Sequence, residues 1–354
     1  MAVLYGFHSL QDAFDQAAVE VLPVVQDAVA LAQAEHNRVT NEVVALFANR
    51  TTAYGAAVRT GGARRLQPQD EFARSLPTRR RPSGHRVEFP LQSAGDALAQ
   101  TYEASVAMTV EDVNDNLAEM QAADSVWIRE HLMGALFANN SWQFDDDQHG
   151  PLTIYGLANG DAHTYTVDAA GISQEQDNHY SAQSAVISDA ANPYPGEREK
   201  LEHHPQNASA PVVSFIHADQ RPATELLTGF YTYSDPNISP GPNEPQLVGT
   251  APTGVPGKII GYVDGVWVSV WGGMPSGFIL TVALSASKAL AMREWPYPVL
   301  QGFVLDAEEQ HYPYLQRQYK RRAGFGAYDR VGASVRRIGN AAYAVPSGFA
   351  TPMP

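Results

Sequence analysis

The most regular pattern of apolar and polar positions runs through residues 109–139. Apolar side chains recur near the 3.6-residue period of an α-helix, and charged side chains occupy the opposite flank. Thr109 is a suitable N-cap, and Glu111 and Asp112 place negative charge where the helix dipole favours it. The pattern predicts one uninterrupted helix of about 45 Å, at ~1.5 Å per residue. We call it the spine helix, and its predicted core positions are Val113, Leu117, Met120 and Trp127.

The first 50 residues are amphipathic in shorter pieces. The pattern predicts a helix after Ser9, a second from Pro23 to Glu35 and a third from Thr40 to about Asn49. Helices this short are marginal in isolation, so their apolar faces need a partner surface.

Residues 51–107 are rich in Gly, Pro and Arg and have few contiguous apolar residues. Segments 52–60 and 85–91 predict the strands of a long two-stranded ribbon, and 97–108 predicts an extended segment leading into the spine helix. A two-stranded ribbon alone is marginally stable in water, so it either stays mobile or lies on a neighbour. The arginines in and around it are Arg64, Arg65, Arg74, Arg79, Arg80, Arg81 and Arg86.

Beyond residue 150, short strand and helix patterns follow one another. Segments 152–157 and 162–167 flank an Asn-Gly turn and predict a β-hairpin. Together the patterns predict an α+β fold. The other predicted elements are helices at 197–204 and 223–230, strands at 211–217, 258–263, 267–271 and 278–284, a loop at 234–257 and an extended tail at 315–343.

Composition excludes several classes of protein. The 354 residues include no cysteine, which excludes disulfides and thiolate metal sites. No apolar run reaches the length of about 18 residues that a membrane span needs, and no signal peptide is predicted. The net charge of −14 argues against a protein whose main task is to bind nucleic acid.

The charge is unevenly distributed, because residues 64–86 and 317–337 are both basic. Two basic segments in an acidic chain favour association between copies, although a solvated charge run is an equally good interpretation. The basic residues of the second segment are Arg317, Lys320, Arg321, Arg322, Arg330, Arg336 and Arg337.

The candidate catalytic and binding residues form no convincing site. Ser214 points away from His217 and Asp219 if the three lie on one strand. The remaining candidates lack the spacing of known sites, so no catalytic, cofactor or metal site is predicted. They are the adjacent carboxylates Asp145, Asp146 and Asp147, interpreted as a solvated turn, the histidines His203 and His204, interpreted as exposed, and the aromatics Trp267, Trp271 and Trp295, interpreted as core.

The order of elements resembles the major capsid proteins of tailed bacteriophages, which have the Hong Kong 97-type fold. The resemblance covers essentially the whole chain and rests on the order of the elements and the residue composition of the segments. The segments that carry it are the extension at 52–107 running into the spine helix, PVVSFIH at 211–217, MPSGFIL at 274–280 and RAGFGAYDRVGA at 322–333.

The resemblance implies an N-terminal arm at 1–50, an extended loop at 51–108, a peripheral domain at 109–205 and 301–354, and an axial domain at 206–300. It implies a non-enzymatic subunit that assembles in the host cytoplasm into pentamers and hexamers of an icosahedral virion shell. The shell encloses double-stranded DNA without sequence-specific binding. The implied partners are a separate scaffolding protein, a portal and a cement protein, and no membrane is involved.

One departure concerns lysine. Some members of the family join their subunits by a Lys–Asn isopeptide bond from the extended loop, but the lysines here are Lys200, Lys258, Lys288 and Lys320. A non-covalent shell is therefore expected. The alternatives are an encapsulin-like shell protein, a soluble α+β enzyme, a carbohydrate-binding protein that uses the tryptophans, and a minor virion component such as a tail or decoration protein.

Overall fold

A computed structural model of the chain describes residues 22–58, 84–158, 160, 163–167, 173–233, 252, 254–285, 287–311 and 314–352. Its α-helices are α1 (Leu22–Phe47), α2 (Tyr102–Ala107), α3 (Val110–Phe137), α4 (Tyr194–Glu202) and α5 (Arg221–Glu225). Its β-strands are β1 (Ala48–Thr51), β2 (Gly55–Val58), β3 (His85–Glu88), β4 (Gln92–Thr101), β5 (Ser141–Asp146), β6 (Gly150–Tyr155), β7 (Thr164–Thr166), β8 (Gln174–Gln176), β9 (Tyr180–Gln183), β10 (Val212–Ile216), β11 (Tyr231–Thr232), β12 (Lys258–Val263), β13 (Val266–Val270), β14 (Phe278–Ala283), β15 (Leu290–Glu294), β16 (Phe303–His311), β17 (Tyr314–Ala327) and β18 (Ala333–Ile338). None of the helices in the described residues is long and apolar enough to cross a membrane.

The chain divides into two compact units. The first comprises the described parts of 1–42, 91–130 and 294–324, and the second comprises those of 43–90, 131–293 and 325–354. Helix α3 and strand β17 each contribute residues to both units.

The first unit is built on an antiparallel sheet in which β17 lies between β16 and β4. Phe303 of β16 and Tyr319 of β17 stack with their ring centroids 5.8 Å apart. Met120 of the spine helix completes this buried cluster. The helix therefore packs on the sheet through Met120, one of the apolar positions that its sequence predicts.

A buried polar network joins α1, α3 and β17 in the same unit. The Asp124 carboxylate lies 2.7 Å from His36 Nε2 and accepts a 2.6 Å hydrogen bond from Arg321 Nη2. Asn37 bonds both backbone groups of Phe303, donating to the carbonyl at 3.0 Å and accepting from the N–H at 2.8 Å. Both Asp124 and Arg321 are almost fully buried, so each depends on the other for its charge to be tolerated.

The predicted spine helix is present as α3. Thr109 and Asp112 form a reciprocal cap, in which the Thr109 N–H donates to the carboxylate at 2.9 Å and the Asp112 N–H donates to the hydroxyl at 3.2 Å. Of its predicted core positions, Leu117 and Met120 are buried, whereas Val113 and Trp127 are only half-buried. The inner face continues through buried Asp124, Ile128, His131 and Leu132.

The second unit contains a seven-stranded sheet in the order β11-β12-β13-β10-β14-β18-β9. Strand β10 runs parallel to β13 and antiparallel to β14, and all its residues are buried. Tyr194 and Leu201 of α4 share a core cluster with Val212, Val268 and Ile279 of the sheet. The strands predicted at 211–217, 258–263, 267–271 and 278–284 are confirmed.

The second and third predicted N-terminal helices are one helix, α1, so the predicted break between Glu35 and Thr40 is wrong. The helix predicted after Ser9 lies outside the described residues. His36 and Asn37 are polar, but they project into the buried network and do not end the helix. Arg38 pairs with Glu35 and Glu42 on the same helix, which supports the helix where the break was expected.

The hairpin predicted from 152–157 and 162–167 is also wrong. Strand β6 pairs with β5 across a turn that ends at Gly150, whose φ is +74°, and β7 pairs with β8. The extended segment predicted over 97–108 stops at Thr101, because its hydroxyl accepts the Ala104 N–H and caps α2. The helix predicted over 223–230 is replaced by a 3-10 turn at Ala218–Gln220 followed by α5.

Candidate assembly surface

The described root of the predicted ribbon is the antiparallel pair β2 and β3, registered from Gly55 opposite Glu88 to Val58 opposite His85. A Cβ on Gly55 would lie 2.8 Å from the Val87 carbonyl oxygen, so the two strands approach closely only because this residue is glycine. The residues between the strands, 59–83, lie outside the described part of the chain.

The root is fixed firmly to the second unit. Phe89 is 1% exposed and donates its N–H to the Tyr54 carbonyl at 2.8 Å. The buried Arg293 guanidinium donates to the Phe89 carbonyl at 3.1 Å and to Asp146 at 2.6 Å. Glu88 accepts the Thr153 N–H at 2.7 Å. These contacts make the described root of the ribbon a rigid base.

Asp146 is part of that base and is not a solvated turn residue. Burial by itself raises its pKa, but the hydrogen bonds from Arg293 and from the Gln148 and His149 N–H groups hold the pKa below its ordinary value. Its neighbours Asp145 and Asp147 are exposed, as the sequence predicts. Asp146 is therefore buried against Arg293, whereas Asp145 and Asp147 face solvent.

Arg86 is the one member of the arginine set inside the described residues. Its guanidinium lies 4.8 Å from the centroid of the Tyr54 ring and 3.7 Å from the Glu88 carboxylate. Tyr54 in turn stacks on His149 with 4.0 Å between ring centroids. Arg86 thus packs on the root of its own ribbon. The residues that lie outside the described part of the chain are Arg64, Arg65, Arg74, Arg79, Arg80 and Arg81.

The outer face of the spine helix is acidic. Glu111, Asp115 and Glu119 are exposed and follow one another at four-residue spacing, which places them on one side of the helix. The sequence contains no lysine or arginine between Arg86 and Arg129. We call these three residues the acidic stripe, and like charges at this spacing destabilise a helix slightly, by about 0.2–0.5 kcal/mol per pair.

The second basic segment, 317–337, is mostly neutralised within its own chain, so its excess charge is smaller than the sequence suggests. The Asp306 carboxylate forms ion pairs with Lys320 at 2.7 Å and Arg322 at 2.6 Å. The buried Glu197 carboxylate forms an ion pair with Arg336 at 2.6 Å. The other members pair or pack as follows: Arg317 with Glu308, Arg321 with Asp124, Arg330 over the Tyr155 ring and Arg337 with the Ala342 carbonyl.

The hydrolase candidates do not form a triad. Ser214 is fully buried and hydrogen-bonds Thr281 at 2.7 Å between two core strands. His217 caps the following 3-10 turn and lies 3.0 Å from Asp219. Of the tryptophans, Trp267 is buried, and Trp271 stacks on Phe47 with 5.6 Å between ring centroids.

The interpretation of His203 and His204 as exposed is wrong for His204, which is 1% exposed. Both rings lie near Asp177, and the buried His179 joins them. Sequence reasoning missed this cluster because its members come from segments about 25 residues apart.

No protein-family model and no curated protein matches this sequence. Among solved structures, a chain from Mycobacterium phage Patience aligns over 93% of this chain and 92% of its own, with a TM-score of 0.66 and 19% identity. A capsid of a native GTA particle (12% identity) and a mature capsid of bacteriophage PhiM1 (8% identity) each give a TM-score of 0.48, covering 85% and 83% of this chain and 91% and 86% of theirs. The chain therefore shares its mixed helix-and-sheet fold with the Mycobacterium phage Patience chain over nearly the full length of both.

Proposed function

We propose that the chain is the structural subunit of an icosahedral phage capsid, which assembles into pentamers and hexamers around double-stranded DNA. The observation that carries the proposal is the fold shared with the Mycobacterium phage Patience chain over nearly the full length of both molecules. A non-enzymatic role also agrees with Ser214, which is sealed between core strands.

The proposed domain division follows the Hong Kong 97-type fold. Residues 1–50 are the N-terminal arm, 51–108 the extended loop, 109–205 and 301–354 the peripheral domain, and 206–300 the axial domain. The five adjacent strands β11, β12, β13, β10 and β14 all come from 206–300, which supports one body for the part of that range up to Ala283.

The extended loop supplies the contact between subunits in this proposal. Residues 59–83 contain seven arginines and two carboxylates, which is a net excess of positive charge. Arginine pairs carboxylates with a planar fork and suits such interfaces. The acidic stripe on the spine helix of a neighbouring subunit has the complementary charge.

The proposed shell is non-covalent. None of the four lysines lies in the extended loop, and Lys200 and Lys320 lie beside Glu197 and Asp306. Scaffolding, portal and cement proteins are separate partners in this proposal, and assembly takes place in the host cytoplasm.

Negative-stain microscopy of the protein, expressed with its scaffold and purified by sedimentation, tests the proposal. We expect closed shells or five- and six-fold rings, and a single-chain band when the particles run on a denaturing gel. Uniform small particles in every condition would contradict the capsid function and favour a soluble enzyme or carbohydrate-binding protein. Ladders of linked chains would contradict only the non-covalent shell.

A further inference from the structure

A carboxylate and two imidazoles converge inside the second unit. Asp177 follows β8, His179 precedes β9, and His204 lies just beyond the end of α4. His179 and His204 are 2% and 1% exposed, whereas the Asp177 side chain keeps 18% of its surface. Two imidazoles are therefore enclosed, and the carboxylate leaves a path to solvent.

The three facing atoms form an almost equilateral triangle. The His179 and His204 Nε2 atoms lie 3.2 Å apart, and each lies 3.4 Å from Asp177 Oδ2. In a tetrahedral zinc site, with bonds of about 2.0–2.1 Å, neighbouring ligand atoms are about 3.3–3.4 Å apart. The triangle has the dimensions of one face of such a tetrahedron.

Hydrogen bonding alone accounts poorly for this arrangement. His204 Nδ1 lies 2.8 Å from the Thr166 carbonyl, which only accepts, so Nδ1 carries a proton. In the neutral ring, His204 Nε2 is then an acceptor, which can receive one proton from His179 Nε2 at 3.2 Å. It also faces the Asp177 carboxylate oxygen at 3.4 Å, and these two acceptors oppose each other. A charge-assisted hydrogen bond would also be shorter, at about 2.7–2.9 Å. A cation between the atoms removes the conflict.

The surroundings fix the His204 ring, the Asp177 carboxylate and the backbone of His179, whose ring Nδ1 is buried without a hydrogen-bond partner among the described residues. The His179 carbonyl accepts the Val335 N–H at 3.0 Å, and the Thr166 carbonyl fixes the His204 ring. His203 Nε2 lies 3.0 Å from the same Asp177 oxygen and supports it from the solvent side. Backbone carbonyls and second imidazoles of this kind orient the ligands of metal sites in proteins.

We propose that Asp177, His179 and His204 bind one divalent first-row transition-metal ion, of which Zn²⁺ fits the donor set and spacing best. The fourth position is open to water. The ion links the segment between β8 and β9 to the end of α4, a structural cross-link in a chain that has no cysteine.

Metal titration of the full-length, unassembled chain tests the proposal. After chelator treatment, we expect one Zn²⁺ per chain by calorimetry, and Co²⁺ should give the visible absorption of a tetrahedral site. Asp177→Asn and His204→Gln should weaken binding roughly 100-fold or more, and His203→Gln about 10- to 100-fold. His311→Gln, at an exposed histidine of β16, is the matched control and should bind as the wild type does.

The proposal is overturned if the wild-type chain takes up no metal, which is the result expected of a cluster held by hydrogen bonds alone. It is also overturned if the variants bind metal as tightly as the wild type. Far-UV circular dichroism checks that the variants fold. Should they unfold, X-ray absorption of the Zn²⁺-loaded wild type decides, because a zinc shell without imidazole scattering excludes the site. Metal binding is read without assembly, so its failure and a failure of the capsid proposal are distinguishable.

Discussion

The carboxylates on the two faces of helix α3 have opposite environments. Asp124 is 6% exposed and is bonded by His36 and Arg321, whereas the acidic stripe of Glu111, Asp115 and Glu119 is exposed. A buried carboxylate that loses its partner becomes very costly, but exposed charges contribute little to stability. The inner face of the helix therefore maintains the fold, and the outer face can change with little effect on stability.

Removing the arginine partner of Asp124, on the inner face, should have the largest effect on stability. Arg321→Met removes the cation and leaves the buried Asp124 carboxylate with His36 alone. We expect a loss of about 3–5 kcal/mol in the free energy of unfolding, measured with urea.

The double variant Arg321→Met with Asp124→Leu is the control, because it removes both charges and fills the space with apolar groups. It should recover most of the lost stability. Equal stabilities of the wild type and the single variant would show that the network does not support the first unit.

Acid should weaken the inner face of the helix through the pKa of Asp124. Burial by itself raises the pKa of Asp124, but the hydrogen bonds from His36 and Arg321 more than offset burial and hold the pKa below its ordinary value of 3.8. A pKa that is lower in the folded than in the unfolded chain contributes stability above the unfolded value. That contribution is lost as pH falls through the folded value.

Urea unfolding at pH values from about 6 down to 3 measures this loss. Asp124→Asn should reduce the pH dependence, because residue 124 then no longer titrates. The stripe variant Glu111→Gln, Asp115→Asn, Glu119→Gln should retain the decline. If instead the stripe variant removed the acid sensitivity, the distinction between the two faces would be wrong.

The same contrast explains which parts of the fold the sequence could predict. The spine helix depends on local signals, a period and a cap, and the strands at 211–217 and 258–284 depend on continuous apolar runs. Strand β15 was missed because Arg293 and Glu294 look like exposed residues. Both are buried, and Arg293 is balanced by Asp146, which lies 147 residues away in the chain.

Non-local partners also limited the prediction of sites. No local pattern shows that the helix continues past Glu35, since the partners of His36 and Asn37 lie on α3 and β16. His204 looked exposed because Asp177 and His179 come from a segment with weak patterning. In each case a polar residue is buried by a partner that no local period indicates, and pairing across the fold decides its burial.

Reversing the charge of the acidic stripe, on the outer face, should have the smallest effect on stability and a large effect on assembly. Replacing Glu111, Asp115 and Glu119 by Lys should change the free energy of unfolding by about 1 kcal/mol or less, since these residues are exposed and only Glu111 lies in the first turn. If the stripe receives the arginines of a neighbouring loop, this variant and Arg79→Glu, Arg80→Glu, Arg81→Glu should each prevent shells from forming in the microscope while remaining folded. Combining the two triple variants restores opposite charges with reversed sign and should recover part of the assembly.

The variant Asp145→Lys, Asp147→Lys, Glu199→Lys is the control for net charge. It makes the same change in net charge at exposed positions elsewhere and should assemble normally. Loss of assembly in that control would assign the effect to net charge, and shells from the stripe variant would place the loop on another surface.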